Sequence, residues 1–504
     1  ATTTSSEMGF RLRYAPSPTG YLHLGGLRTA LYNVILARQT RGSVILRIED
    51  TDRKRTVPGC IESLISTFNR FGIEFDEGPE TDGGRGPYIQ SNRLPLYLKH
   101  LDTLVQNNHA YHCFCSSERL EKVRITRSKQ GLAPVYDGLC SNIPFHEASQ
   151  RLRNGESSVV RMRVPSTGRT SFHDIVHGNI VIDNKCIDHQ VLLKSDGYPT
   201  YHLASIVDDH LMDITHVVRG EEWLVSTVKH VLLYQYLDWK PPVFAHLPLL
   251  VTTDRAKLSK RHNHSSVEAL LNLGYLPSAI LHFSATMGWN PKPSQSAGNA
   301  LLLDDLCSLF EISRIQKGAA QVDIKRLKWL SGQHFRLMFN KEPSNVLSLI
   351  RNFNQGDLLN VSDTFLTRIV FSIVERVQLL SDVITFGSGF IHPPSLTLEH
   401  LHHKGFKDSK QIEHVMHNLE AADFASTVSI SDAICKAEMQ LGIKQNATLP
   451  LLRYVLFGSD AGPSVSTIIL TLGQQRTYER LRLARDVLCQ RHERQQPFFQ
   501  EPKL

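Results

Sequence analysis

Phe10-Arg11-Leu12-Arg13-Tyr14-Ala15-Pro16-Ser17-Pro18-Thr19-Gly20-Tyr21-Leu22-His23-Leu24-Gly25-Gly26 decides the fold. Apolar and basic residues alternate from Phe10 to Ala15, which reads as a short strand. Pro16 and Pro18 stop it, and Gly20 to Gly26 forms a glycine-containing turn. Leu27, Ala30, Leu31, Val34, Ile35 and Ala37 then recur at helical spacing. Ser43 to Glu49 follows as a β-branched run ending in an acid, a buried strand. Strand, glycine-rich turn, helix and strand make a βαβ unit, the opening of a doubly wound nucleotide-binding sheet. Backbone N–H groups and the positive end of the helix face the turn, so it suits phosphate. Gly25 and Gly26 let a ligand approach the backbone, and His23 can donate to a phosphate oxygen there.

Beyond this unit the pattern changes. From about Tyr88 to Tyr198, helical stretches such as Leu94 to Val105 alternate with short strands such as Ile180 to Asp183, as in an insertion. Tyr198 to Val218 is expected to return to strand-like runs broken by polar clusters. Leu249 to Thr253 reads as a further strand, with Lys257-Leu258-Ser259-Lys260-Arg261 in the loop after it. Past Ser265 the chain is helical by periodicity; Tyr478, Leu481, Ala484 and Leu488 are one example. Two lysines flanking a serine in a basic loop can neutralise triphosphate charge as an α-phosphate is attacked.

The two segments together, H-x-G-x after the first strand and K-x-S-K far downstream, resemble the paired signature of class I aminoacyl-tRNA synthetases. Arg13 to Gly20, Leu46-Arg47-Ile48-Glu49-Asp50-Thr51-Asp52, Gly86-Pro87-Tyr88, Ser195 to Ala204, Val207-Asp208-Asp209-His210 and Arg219 to Thr227 look like the glutamyl-tRNA synthetase family. The likeness runs from about Arg11 to Ala484, and its flavour is that of the mitochondrial, bacterial-type form. It implies an α/β fold: a Rossmann-type doubly wound parallel sheet with an inserted acceptor-binding domain, then an all-helical anticodon-binding region. The expected divisions are 1–87 and 198–264 for the two catalytic halves and 88–197 for the inserted acceptor-stem domain. A stem-contact helical domain at 265–335 and an anticodon-binding domain at 336–504 complete the chain.

The implied reaction has two steps. Glutamate attacks the α-phosphorus of Mg-ATP, releasing pyrophosphate, and the glutamyl group passes to the terminal adenosine of tRNA(Glu), with tRNA(Gln) as a second acceptor left open. In the family the tRNA is bound before glutamate is activated. The chemistry of glutamate points the same way. It carries two carboxylates and an ammonium, so a selective pocket needs a guanidinium fork and an anion. Arg13 and Arg219 are candidates for the side-chain carboxylate and Glu49 for the ammonium. The resemblance assigns Arg13, Ala15, Ser17, Glu49, Tyr201, Ser205 and Arg219 to glutamate. It assigns His23, Gly25, Gly26, Glu222 and Lys260 to ATP, and catalysis to His23, Lys257 and Lys260.

The chain departs from the pattern at two positions of this site: Gly26 stands where the general signature has a second histidine, and Ser205 where bacterial relatives often have asparagine. In the insertion, Cys113-Phe114-Cys115 and Cys140 match a family zinc pattern, but Asn142 replaces its histidine. His112 or His146 are the substitutes in reach of sequence. Three ligands do not close a tetrahedral site, so zinc is not expected to be firmly held. Arg376 occupies the place of an anticodon-reading arginine. Arg476, Arg480, Arg482, Arg485, Arg491 and Arg494 form a basic stretch suited to RNA backbone.

Composition sets the outer bounds. The 504 residues, with 41% hydrophobic and 21% charged, exclude a disordered tail or a fibre. The 56 Lys and Arg exceed the 49 Asp and Glu by seven, which permits an anionic partner. No apolar run reaches the roughly 18 residues of a bilayer span, and eight cysteines are too sparse for a disulfide framework. A monomer is expected. Residue 1 is Ala rather than Met, which with the basic balance leads to an expected mitochondrial matrix location, a bacterial cytoplasm being the rival. A glutaminyl-tRNA synthetase would carry P-E-P-N-G at Pro16 to Gly20 and a β-barrel anticodon unit. A small nucleotidylyltransferase would not need the helical C-terminal part. An RNA-binding scaffold that has lost catalysis would not need His23, Lys260, Arg13 and Arg219 intact.

Overall fold

The computed structural model describes residues 9–252, 266–292, 299–353, 356–405 and 408–494. Contacts divide the chain into two compact units. The first holds Ala1–Leu271 and Pro277–Leu327, the second Asn272–Leu276 and Lys328–Leu504.

In the first unit β1 (Arg11–Tyr14) leads into α1 (Leu24–Thr40) and β2 (Ser43–Leu46), which lies parallel to β1 with Arg11 opposite Ser43. His23 caps α1: its Nδ1 accepts the Gly26 N–H at 3.0 Å. Arg41 closes the helix in the left-handed region (φ 54°), where its N–H reaches the carbonyl of Ala37. Almost every face of α1 is buried, as expected of a helix roofed by sheet and further helices.

α2 (Cys60–Arg70) and α3 (Leu94–Gln106) follow. The insertion contributes β3 (Ala110–Cys113), α4 (Ser117–Lys129), α5 (Phe145–Arg153), β4 (Val159–Met162), β5 (Arg169–Asp174), β6 (Gly178–Asp183) and β7 (Val191–Leu193). β3, β4 and β7 form their own antiparallel sheet. β5 instead pairs with β6 and, at Asp174 opposite Phe244, runs parallel to β9 (Val243–Leu247) of the nucleotide-type sheet.

The segment expected as broken strands after Tyr198 is different. Tyr201–Leu211 is a helix, α6, and only His216–Gly220 is a strand, β8. The β-branched pair Ile206 and Val207 favoured a strand reading. Their neighbours Leu203, Ala204 and Asp208 are also buried, so the helix is enclosed on most sides and shows no clear apolar stripe. α7 (Thr227–Tyr236) and β9 (Val243–Leu247) complete the layer. β8 and β9 are parallel, and the Thr215 N–H donates to the Arg11 carbonyl at 2.9 Å, which brings the start of β8 beside β1. The ends of β1, β2 and β8 therefore open on one side, where doubly wound sheets bind ligands.

Among the described residues the second unit is helical throughout. Asp363–Ile373 shows why. Ser362 caps it through the Phe365 N–H, and Phe365, Leu366, Ile369, Val370 and Ile373 bury one stripe. The terminal helix Val465–Arg494 is interrupted at Gly473 (φ 73°, ψ 175°), and Leu481, Ala484 and Leu488 are buried. Arg480 departs from the expected RNA-facing stretch. It is buried and donates to the carbonyls of Gly389, Phe390 and Leu456, satisfying the C-terminal ends of two neighbouring helices. No described helix is long and apolar enough to cross a membrane.

Candidate active site

A cavity of about 1040 Å³ opens beyond the strand ends and is lined by Arg13, Ala15, Ser17, His23, Gly25, Gly26, Glu49, Tyr201, Arg219 and Glu222. That volume exceeds what one amino acid needs and fits an amino acid with a nucleotide. Ser205, one turn beyond Tyr201 on α6, does not line it. Its side chain is buried and its hydroxyl has no partner among the described residues. Lys257 and Lys260 lie outside the described residues.

At one end the chain from Arg47 to Glu49 runs on from β2, with the Arg47 N–H on the Tyr14 carbonyl and the Glu49 N–H on the Pro16 carbonyl. Arg47 and Glu49 therefore share a face. Arg47 Nη2 donates to Glu49 Oε1 at 3.1 Å, and its Nη1 to Asp209 Oδ1 at 2.7 Å. Asp209 also accepts from Arg13 Nε at 3.0 Å. Asp208, the neighbour of Asp209 on α6, accepts from Arg93 Nε at 2.6 Å and from Gln90 and Tyr97. Three buried arginines thus face three buried carboxylates. Burial pushes the Glu49 carboxyl up to about 7, against the pull of Arg47 and Arg13.

Arg219, on β8, is buried too but touches no carboxylate among the described residues. Its partners are all neutral acceptors: His246 Nε2 (3.1 Å), Tyr201 Oη (2.9 Å), Thr227 Oγ1 (2.7 Å) and His230 Nδ1 (3.1 Å). Trp223 packs on the Tyr201 ring at 4.0 Å between centroids.

At the other end stands the N-terminus of α1, with no acid in its first turn. Because His23 Nδ1 accepts from Gly26, the neutral ring carries its proton on Nε2. A Cβ at position 26 would fall 2.8 Å from Tyr14 Oη and 3.0 Å from a methyl of Leu22, so a second histidine here would need both side-chain ends to move aside. Behind the turn, Arg28 is buried and donates to the carbonyls of Met287 (3.2 Å) and Pro248, tying α1 to the segment ahead of Leu250–Val251.

In the insertion the three thiols of Cys113, Cys115 and Cys140 converge within 4.8 Å of one another. Neither His112 nor His146 joins them. His112 sits next to Cys113 on β3, hence on the opposite face, and meets Ser158. The Tyr136 hydroxyl fills the remaining side. It contacts Cys113 Sγ (3.5 Å) and Cys115 Sγ (3.4 Å) and accepts from the Cys140 N–H (2.9 Å). Burial lifts the Cys115 thiol to about 11. Cys113 lies below the ordinary thiol range despite burial, because Tyr136 hydrogen-bonds to it. Three thiols and a phenol are a poor match for the four N or S ligands of structural zinc.

Sequence reading missed Arg47, Asp209, Asp174, His230 and His246 as site-building residues. Alternation from Leu46 to Glu49 could have exposed Arg47. Asp209 stands inside the stretch Val207 to His210 that carries the resemblance; nothing local marks Asp174, His230 and His246.

The chain matches the family model described as tRNA synthetases class I (E and Q), catalytic domain, over residues 10–329, and one described as an anticodon binding domain over 345–485. It is 37% identical to a glutamate–tRNA ligase of Chloroherpeton thalassium, across 96% of this chain and 99% of that protein. It is 38% identical to one of Chlorobium chlorochromatii, across 94% and 97%. A crystal structure of a glutamate tRNA ligase from Elizabethkingia meningosepticum in complex with its amino acid superposes with a TM-score of 0.84 at 31% identity, across 95% of this chain and 99% of that one.

Proposed function

The chain belongs to the glutamate–tRNA ligases, class I aminoacyl-tRNA synthetases, and from that premise we propose how its residues divide the work. Glu49 receives the ammonium of glutamate, and Arg219, with Arg13 beside it, receives the side-chain carboxylate. His23 donates from Nε2 to an ATP phosphate at the α1 N-terminus, with Gly25 and Gly26 giving close backbone approach and Glu222 on the adenosine side. Lys257 and Lys260 neutralise phosphate charge. Mg2+ enters with ATP and offsets the charge of the leaving pyrophosphate. The exposed Arg376 contributes to anticodon contact. The protein acts as a monomer on tRNA(Glu), and its motifs fit the mitochondrial matrix. The inserted domain at 88–197 meets the acceptor stem, and the regions 265–335 and 336–504 serve stem and anticodon.

The observation that carries this reading is Arg219, a buried fork that meets only neutral acceptors among the described residues, in a cavity that also holds the acid Glu49. Glutamine is nearly isosteric with glutamate, but its amide offers N–H donors that a guanidinium cannot accept. A charged hydrogen bond lost in a buried site is worth roughly 10- to 150-fold. Arg219→Gln should lower kcat/KM for glutamate by that factor and narrow its ratio to glutamine, measured with tRNA saturating. An equal loss for both amino acids would remove Arg219 from side-chain recognition.

Two further outcomes follow from the geometry. Glu49 pairs with an ammonium only when ionised, so glutamate affinity should rise as pH increases through about 7 and level off above it. Glutamate KM that stays flat from about pH 6 to 8 would take the ammonium away from Glu49. Protein purified without added metal should contain substoichiometric zinc, because Tyr136 is a weak fourth ligand. One zinc per chain by elemental analysis, lost on Cys113→Ser, would overturn that.

A further inference from the structure

Asp174 is the last residue of β5 and His246 lies on β9; both side chains are fully buried behind Arg219. Asp174 Oδ2 is 2.6 Å from His246 Nδ1, and Oδ1 accepts from the backbone N–H groups of Val176 and His177 at 3.0 and 2.9 Å. A carboxylate only accepts, so His246 carries its proton on Nδ1 and turns the lone pair of Nε2 toward Arg219 Nε, 3.1 Å away. On the far side His230 accepts from Arg219 Nη2 at Nδ1, which puts its own proton on Nε2, aimed at His202 Nδ1 at 3.0 Å. Thr227 Oγ1 accepts from Nη2, and its own hydroxyl lies 2.9 Å from the Trp223 carbonyl and 3.0 Å from His246 Nε2; with the Nε2 lone pair taken by Arg219, it donates to the carbonyl. With Tyr201 on Nη1, four of the five guanidinium N–H groups are directed.

The nature of these acceptors matters more than their number. A carboxylate in direct contact would satisfy an N–H and also cancel the positive charge. An imidazole satisfies the N–H and leaves the charge in place, and burial holds His246 neutral, its pKa lowered to about 4. Asp174 fixes which nitrogen does the accepting. Without it, the other tautomer would set an N–H against an N–H.

We propose that the Asp174–His246 pair positions Arg219, holding the fork in one orientation with its charge uncancelled so that it answers to an anionic side chain. This rests on Arg219 being the side-chain carboxylate receptor. Both members are positioning residues, since neither lines the cavity.

The test uses the full chain with saturating tRNA and compares His246→Leu, His246→Gln, Asp174→Asn and Arg219→Gln. The readouts are KM for glutamate, KM for ATP and the ratio of kcat/KM for glutamate over glutamine. His246→Leu should raise glutamate KM about 10-fold or more and narrow the ratio, with ATP KM within about two-fold. His246→Gln, whose Oε1 can accept from Arg219 Nε, should recover most of that loss. Asp174→Asn, which keeps the volume but frees the tautomer, should raise glutamate KM and spare ATP; it carries the test should the leucine variant not fold. Equal behaviour of the leucine and glutamine variants, or equal losses for both amino acids and ATP, would make the pair a tie between strands and overturn the proposal. If Arg219→Gln collapses the ratio and His246→Leu does not, positioning alone fails. If Arg219→Gln leaves the ratio unchanged, the receptor reading fails first.

Discussion

Replacing Asp209 with alanine is expected to destabilise the catalytic unit by about 3–5 kcal/mol. One oxygen of Asp209 serves two buried guanidinium groups, Arg13 at 3.0 Å and Arg47 at 2.7 Å. Without it Arg47 keeps Glu49 and, at 3.9 Å, Asp208. Arg13 keeps no direct carboxylate contact among the described residues. A charge left buried without its partner costs far more than the intact pair contributes, which is why the asymmetry favours a large loss. Asp209→Asn preserves an acceptor oxygen and should cost less. Burial alone would raise the Asp209 carboxyl, yet Arg13 and Arg47 hold it below the ordinary range. Its contribution is therefore complete above the unfolded-state value of about 3.9 and fades as pH falls through the folded value. Urea denaturation of the three proteins at pH 7 measures the gap. A difference under about 1 kcal/mol between alanine and wild type would show that the network does not hold the unit together.

The contrast between what could and could not be read from the chain has a physical source. Arg11–Tyr14 and Leu24–Thr40 were legible because Pro16, Pro18 and Gly20 punctuate a period-two run and a helical one. Tyr201–Leu211 was not, because a helix enclosed on most sides loses the apolar stripe that announces it, and Ile206 and Val207 pull the reading toward a strand. The cavity residues Arg13, His23, Glu49 and Arg219 lie at strand ends or turns, where charge is conspicuous in a sequence. Their supports carry no such local mark and come together only across the fold. Asp174 and His246 are 72 positions apart and become neighbours only when β5 joins β9. Tyr136 likewise reads as an ordinary aromatic until folding sets its hydroxyl among three thiols. In the second unit the arginine stretch was visible, but burial sorts it. Arg480 ends two helices, while Arg476 lies over the Phe365 ring at 3.9 Å.

Lys260→Ala is expected to lower the rate of glutamate activation about 10²–10³-fold with little change in glutamate affinity. The argument begins at the His23 end of the cavity, since Lys257 to Arg261 fall outside the described residues. There the helix N-terminus and one imidazole N–H provide neutral donors for phosphate, and His23 lines the cavity with Gly25 and Gly26. As glutamate attacks the α-phosphorus, negative charge builds on the departing pyrophosphate. Neutral dipoles meet part of it; a full cation that engages only then lowers the barrier without tightening the ground state. Lys260 should therefore act on kcat and His23 on the same charge more weakly. Because both would serve one developing charge, the double variant His23→Ala with Lys260→Ala should lose less than the product of the single losses. Single-turnover formation of the adenylate, with tRNA bound, separates this step from transfer. An unchanged rate in Lys260→Ala would take that lysine out of the site, and fully multiplicative losses would place the two side chains on different parts of the reaction.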